Sequence, residues 1–198
     1  TDSRIGKSFL NAGPGFGGSC FKKDILNLVY LCRFYSLNEV ADYWEQIIKI
    51  NLWQQKRITS IVIQKLFGTL TNKRLVILGF SYKANTNDTR ESPAIFICKQ
   101  LLNEGAIVRI HDPKVDEAQI ALELGDLGKD NSLNWSFTNK LDNIFDNVEA
   151  IIILTEWELY KTINWDLVND KVLSPAWLFD TRRIVNPEKI KNCDFKFW

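Results

Sequence analysis

Arg74-Leu75-Val76-Ile77-Leu78-Gly79 is the stretch on which the fold turns. Four aliphatic side chains in a row, closed by a glycine, read as a parallel strand buried on both faces. The pattern recurs downstream. Residues 94–102 read as a helix, 107–110 as a second strand, 118–124 as a weaker helix, 151–154 as a third strand and 177–179 as a fourth. The chain closes on the strand-like Phe195-Lys196-Phe197-Trp198. Short apolar strands alternating with helices predict an α/β fold, a Rossmann-like parallel sheet with helices on both faces. Residues 125–136, carrying Gly125, Gly128, Asp130, Asn131 and Ser132, read as a surface loop.

Folds of this kind bind ligands at the carboxyl ends of their strands. The segment after the first strand, Gly79 to Pro93, is long for a strand-to-helix loop and carries Lys83, Asp88 and Arg90. Lys83 as a point charge and Arg90 as a rigid fork suit phosphate recognition, against the plainer reading of a solvated polar loop. Ser92-Pro93 reads as the opening of the next helix. Asp180-Thr181-Arg182-Arg183 follows the fourth strand, and its paired arginines suit either phosphates or the edge of a domain. His111 at the end of the second strand reads as structural, having no second histidine and no cysteine near it.

Upstream, apolar residues trace one stripe from Val40 to Phe67 with no glycine or proline before Gly68. A helix of about 30 residues spans roughly 45 Å, too long for one small domain to bury. It is expected to link domains, to pair with a copy of itself, or both, with Trp44 and Trp53 as anchors. Ser36 and Glu39 have capping-box spacing at its start. A shorter helical pattern runs from Asp24 to Tyr35 and places Cys32 in its core. These observations divide the chain into a helical region, 1–72, and an α/β domain, 73–198.

The first helix is preceded by Gly15-Phe16-Gly17-Gly18-Ser19-Cys20-Phe21-Lys22-Lys23-Asp24. Its glycines admit sharp turns and close approach of a ligand to the backbone. Cys20 falls at a helix N-terminus, where the helix end, Lys22 and Lys23 surround the sulfur with positive charge, the setting of a reactive cysteine. Asp24 lies one turn on, on the same face. A cysteine nucleophile with a nearby carboxylate is a plausible catalytic pair. The plainer reading is a turn around a small buried cysteine. The glycines are no dinucleotide fingerprint, because Gly-x-Gly-x-x-Gly fails at Cys20.

Composition narrows the classes. Of 198 residues 45% are hydrophobic, and 25 basic residues nearly balance 24 acidic ones, so charge does not imply nucleic acid. No apolar run has membrane-span length, and the four scattered cysteines with a single histidine speak against a zinc site. Reduced thiols fit a cytoplasmic protein. The chain has no methionine, even at its start, and reads as a fragment of a longer protein.

Residues 14–24 resemble the active-site segment of the UDP-glucose/GDP-mannose dehydrogenase family, and Lys83 to Pro93 resembles its second signature. The resemblance runs from about Arg4 to Arg183. It implies an NAD-dependent nucleotide-sugar dehydrogenase that oxidises the sugar C6 alcohol to a carboxylate with two NAD. Cys20 is then the nucleophile, passing through a thiohemiacetal and a thioester, and Asp24 organises or activates the hydrolytic water. Cys20, Phe21, Lys22 and Lys23 lie by the nicotinamide, and Arg90 contacts NAD held mainly by an N-terminal domain outside this chain. Phe9, Asn11, Ala12, Gly13, Pro14, Gly15, Phe16 and Gly17 wrap the substrate, with Tyr82, Lys83 and Arg182 on the nucleotide sugar. Arg4, by residue type alone a solvated surface charge, reaches across a dimer interface to the neighbour's substrate. Some relatives have lysine at the position of Asn11. The serine before Cys20 points to UDP-glucose, whereas relatives acting on N-acetylated sugars tend to have histidine there. Expected partners are therefore UDP-glucose and at least one further copy of the chain, paired through the central helix, with no nucleic acid or membrane. A dehydrogenase of GDP-mannose or of a UDP-N-acetyl sugar, a thiol-dependent acyl or aldehyde enzyme, and a non-catalytic nucleotide-sugar-binding module remain the alternatives.

Overall fold

The computed structural model describes residues 11–125 and 134–198. Two helices open it, α1 (Phe21–Phe34) and α2 (Asn38–Lys65). The α/β part follows as β1 (Arg74–Leu78), α3 (Pro93–Asn103), β2 (Ile107–His111), α4 (Glu117–Leu124), β3 (Trp135–Phe137) and β4 (Ala150–Ile153). It ends with short helices α5 (Glu158–Lys161) and α6 (Trp165–Asn169), then β5 (Ala176–Asp180) and β6 (Phe195–Phe197). Arg4 and Phe9 lie outside the described residues.

The described strands form one sheet in the order β3-β2-β1-β4-β5-β6, every pair parallel. This is the doubly wound order in which the winding reverses between β1 and β4. The uniformly apolar strands are explained by their two covered faces. Leu75, Ile77, Ile152 and Phe179 point to the side of α3 and α4, while Val76, Leu78, Ile151, Ile153 and Leu178 point to the side of α5 and α6. Each buried aliphatic side chain contributes about 1.5–3 kcal/mol.

Helix α2 has 28 residues and is therefore about 42 Å long. Its last turns belong to the sheet domain, since Ile58, Val62 and Leu66 join the α3 side of the core. Its first turns pack on α1 around Ile25, Val29, Cys32 and Ala41. Trp44 is turned partly toward this helix pair, while Trp53 is 60% exposed. Helix α2 stops two residues short of Phe67, where Phe67 and Gly68 take φ of 66° and 80° and reverse the chain.

Two expectations are corrected. Ser36 and Glu39 form no capping box. Ser36 sits at φ 61° in the turn between α1 and α2, and α2 starts from Leu37 without a side-chain cap. The turn is closed by backbone bonds instead, Leu37 N–H donating to the Cys32 carbonyl at 2.8 Å. Trp135 and Ser136 are not loop. They enter β3, which pairs with β2 while the Trp135 ring is buried. No helix among the described residues is long and apolar enough to cross a membrane.

Candidate functional site

A cavity of about 560 Å³ opens at the carboxyl ends of β1, β4 and β5. It is lined by Asn11, Ala12, Gly13, Gly15, Phe16 and Gly17 on one side and by Tyr82, Lys83, Glu156, Lys161, Arg182 and Ile184 on the other. The place is the one that the strand order dictates, beside the reversal between β1 and β4.

The sheet side is anchored by the buried Asp112. One carboxylate oxygen accepts from Phe80 N–H at 2.8 Å, Ser81 N–H at 3.0 Å, Ser81 Oγ at 3.1 Å and Trp157 Nε1 at 3.2 Å. The other accepts from Lys114 and Val115 N–H at 2.9 and 3.0 Å. One carboxylate thus ties the ends of β1, β2 and β4. At the far end of the loop, Ser92 caps α3 and donates to the Phe80 carbonyl at 2.7 Å, with Pro93 in the first turn as expected.

Arg182 is largely buried, and burial lowers its pKa from the usual arginine value while Glu156 opposes that shift. Its Nε donates to the Leu154 carbonyl at 2.7 Å. Glu156 Oε2 lies 3.2 Å from the same nitrogen, yet that nitrogen has one hydrogen and Leu154 holds it. The buried Oε2 is therefore held by charge, with no hydrogen-bond donor among the described residues. The terminal nitrogens are held more loosely, Nη2 donating a long bond of 3.4 Å to the Tyr82 carbonyl. Lys83 Nζ sits 5.3 Å from the centre of the Tyr82 ring. Three cations thus face the cavity on a scaffold that fixes one of them.

The opposite wall is the glycine-rich loop, and residues distant in sequence hold it. Asn51 on α2 bonds both polar groups of Phe16, at 2.8 and 3.1 Å, and Gln54 donates to the Gly13 carbonyl at 3.2 Å. Gly18 N–H donates to the Arg90 carbonyl at 2.8 Å, and Lys22 pairs with Glu91 at 2.8 Å. The contact is close enough to exclude side chains. A Cβ on Gly17 would lie 2.4 Å from the Glu91 carbonyl oxygen. Gly18, at φ 86°, would meet the Tyr82 ring at 3.0 Å.

Cys20 is exposed at the N-cap of α1, with Ser19 Oγ 3.6 Å from its sulfur. Asp24 is also exposed, and its N–H donates to the Cys20 carbonyl at 2.8 Å, one turn along. The other cysteines differ. Cys32 and Cys98 are buried, burial pushes the Cys98 thiol far up, and Cys193 sits 3.5 Å from Asp166.

The structure brings Asn11 to Gly17 and Tyr82, Lys83 and Arg182 to one place, with Pro14 buried behind the cavity wall. Arg90 is not on that wall. Its fork clasps Asp88 at 3.0 and 2.7 Å, on the side of the loop near Cys20. Lys83 therefore shares the cavity with Arg182 rather than with Arg90. Glu156 and Lys161 also line it. Glu156 falls in Thr155-Glu156-Trp157 after the third strand, a segment that resembles a loop of the same family, whereas no local signal marks Lys161. His111 is structural, as expected. Its Nδ1 lies 2.9 Å from the Tyr160 hydroxyl, which also donates to the His111 carbonyl.

Comparison with known proteins gives this arrangement a context. Residues 76–187 match the UDP binding domain of the UDP-glucose/GDP-mannose dehydrogenase family, and residues 1–53 match its central domain. The chain belongs to the UDP-glucose/GDP-mannose dehydrogenase family. Within that family it is 47% identical over 190 residues to the UDP-glucose 6-dehydrogenase of Gallus gallus, and 44% identical over 212 residues to UDP-glucose 6-dehydrogenase 1 of Glycine max. These alignments cover 94% and 98% of this chain but 38% and 43% of the relatives, so the chain spans about two fifths of their length. A UDP-glucose dehydrogenase from the archaeon Pyrobaculum islandicum has the same fold, with a TM-score of 0.76 at 28% identity over 99% of this chain and 40% of its own. The GDP-mannose dehydrogenase of Pseudomonas aeruginosa shares the fold at 23% identity over 93% of this chain and 40% of its own, with a TM-score of 0.69.

Proposed function

We propose that the chain supplies the substrate cavity and the nucleophile of an NAD-dependent UDP-glucose 6-dehydrogenase. The observation that carries this reading is the cavity at the sheet's reversal point, where Lys83, Lys161 and Arg182 converge opposite a glycine loop that leads to an exposed cysteine. Arg182 and Lys83 hold the diphosphate, and the backbone of Asn11 to Gly17 wraps the nucleotide sugar together with Tyr82. Arg4 and Phe9 complete the substrate set, with Arg4 acting on the neighbouring subunit's substrate.

NAD, when bound, supplies the hydride acceptor. The end of α1 fits such a group, because Cys20, Phe21, Lys23 and Arg90 are all exposed and the Gly18–Arg90 backbone bond holds the Arg90 loop against the glycine segment. Lys22 frames the same edge through its pair with Glu91. Cys20 would add through Sγ to the C6 aldehyde left when the C6 alcohol has lost one hydride, and the thiohemiacetal would lose a second hydride to become the thioester, one NAD accepting each hydride. Asp24, one turn along α1, orients the water that releases the carboxylate. Residues 1–72 form the helical and dimerisation region and 73–198 the UDP-sugar domain. The exposed Tyr30, Phe34, Tyr43, Ile50 and Trp53 on α1 and α2 give a second copy an apolar face to cover.

In the intact dehydrogenase, UDP-glucose is expected to yield two NADH per UDP-glucuronate, with GDP-mannose and UDP-N-acetylglucosamine turned over poorly. Cys20→Ser is expected to cut turnover by about a thousandfold or more. Unchanged turnover in that variant would sink the assignment.

A further inference from the structure

A cavity built to hold an anion gains nothing from a carboxylate, yet Glu156 lines this one beside Lys83, Lys161 and Arg182. It is not needed to fix Arg182 Nε, because the Leu154 carbonyl already accepts that hydrogen. Its other oxygen accepts only a long bond, 3.4 Å from Ala84 N–H. The carboxylate thus lies against Arg182 on a wall it shares with Lys83 and Lys161, with no donor to one oxygen among the described residues, and it subtracts one charge from a basic site. Lys161 is moderated as well, by Glu158 at 2.7 Å, which is outside the cavity.

We infer that Glu156 sets how much negative charge the cavity accepts, favouring the nucleotide diphosphate sugar over the free nucleoside diphosphate. The inference rests on the reading of this cavity as a nucleotide-sugar site. In the sugar ester each phosphate carries one charge. Release of the sugar exposes a terminal phosphate whose second ionisation falls near pH 6, so the free nucleotide carries about one charge more at neutral pH. That extra charge meets the Glu156 carboxylate. Selection against the wrong ligand by repulsion needs no added contact to the right one. The sugar thus serves recognition twice, through its own contacts and by masking a charge.

The test is calorimetry on this chain with UDP-glucose and with UDP at pH 8. Glu156→Gln keeps the shape and removes the charge. It is expected to tighten UDP relative to UDP-glucose by about fivefold or more at low salt. Lys83→Gln, at an exposed position, is expected to shift the ratio the other way by weakening UDP more. If Glu156→Gln weakens both ligands alike, Glu156 is only a prop for Arg182 and the inference falls while the nucleotide-sugar reading stands. An unchanged ratio in both variants overturns it equally. If the wild-type chain binds neither ligand, the nucleotide-sugar reading fails and the inference with it.

Discussion

The loop leaving β1, residues 79–92, and the glycine-rich loop, residues 11–20, face each other across one cavity and are held in different ways. The first is fixed from within the sheet domain. Asp112 gathers the backbone at both Phe80 and Ser81, and Ser92 bonds back to Phe80. The second has no regular structure and no anchor of its own. It is docked by Asn51 and Gln54 from α2 and by the Arg90 carbonyl of the facing loop, with Lys22, just past its end in α1, paired to Glu91. Half of the cavity is therefore part of a folded core, and the other half is in place only while a surface remains docked. Stability and binding should separate along that line.

Asp112→Asn strikes the first half. The amide would turn N–H groups toward backbone donors, leaving buried polar groups unpaired. A loss of about 3 kcal/mol is expected, or roughly 6–12 °C in Tm. An unchanged melt would show that the strand ends need no common anchor.

Gly17→Ala strikes the second half. Its Cβ would press on the Glu91 carbonyl, which is backbone and cannot rotate away. The loop should lift, weakening UDP-glucose about tenfold or more while Tm moves by only a degree or two, because little apolar core is lost. A large fall in Tm would mean that the glycine loop is part of the cooperative core.

The smallest effect concerns pH. Burial holds the pKa of His111 below its usual value. As pH falls below about 6.5 the unfolded chain takes up a proton that the folded His111 resists, so stability declines from there down through the folded pKa. His111→Gln should remove that part of the slope in denaturant titrations from pH 7 to pH 5. An identical slope in the variant would place its source elsewhere.

The sheet domain was legible because its signals are local. Runs such as Leu75 to Leu78 and Ile151 to Leu154 can be satisfied only by burial on both faces, and Ser92-Pro93 just ahead of a helical apolar pattern signals a helix start. Strand β3 was hidden because it has three residues, one of them an exposed serine, next to a polar stretch. The capping-box spacing at Ser36 misled because a tight turn required the left-handed conformation there. The glycine loop and the Lys83 segment could be named as a site through their family likeness. Which side chains meet across the cavity depends on strand order, and no local pattern shows that Arg182 lies over Glu156 or that Asp112 binds three strand ends.

Binding of a nucleotide sugar in this cavity would show in ligand-dependent melting of the chain. UDP-glucose at a hundred times its dissociation constant should add about 2.7 kcal/mol and raise Tm by roughly 5–10 °C, with UDP-N-acetylglucosamine and GDP-mannose giving less. Arg182→Ala should abolish the shift. A cooperative melt that UDP-glucose leaves unmoved would mean that the cavity does not bind it.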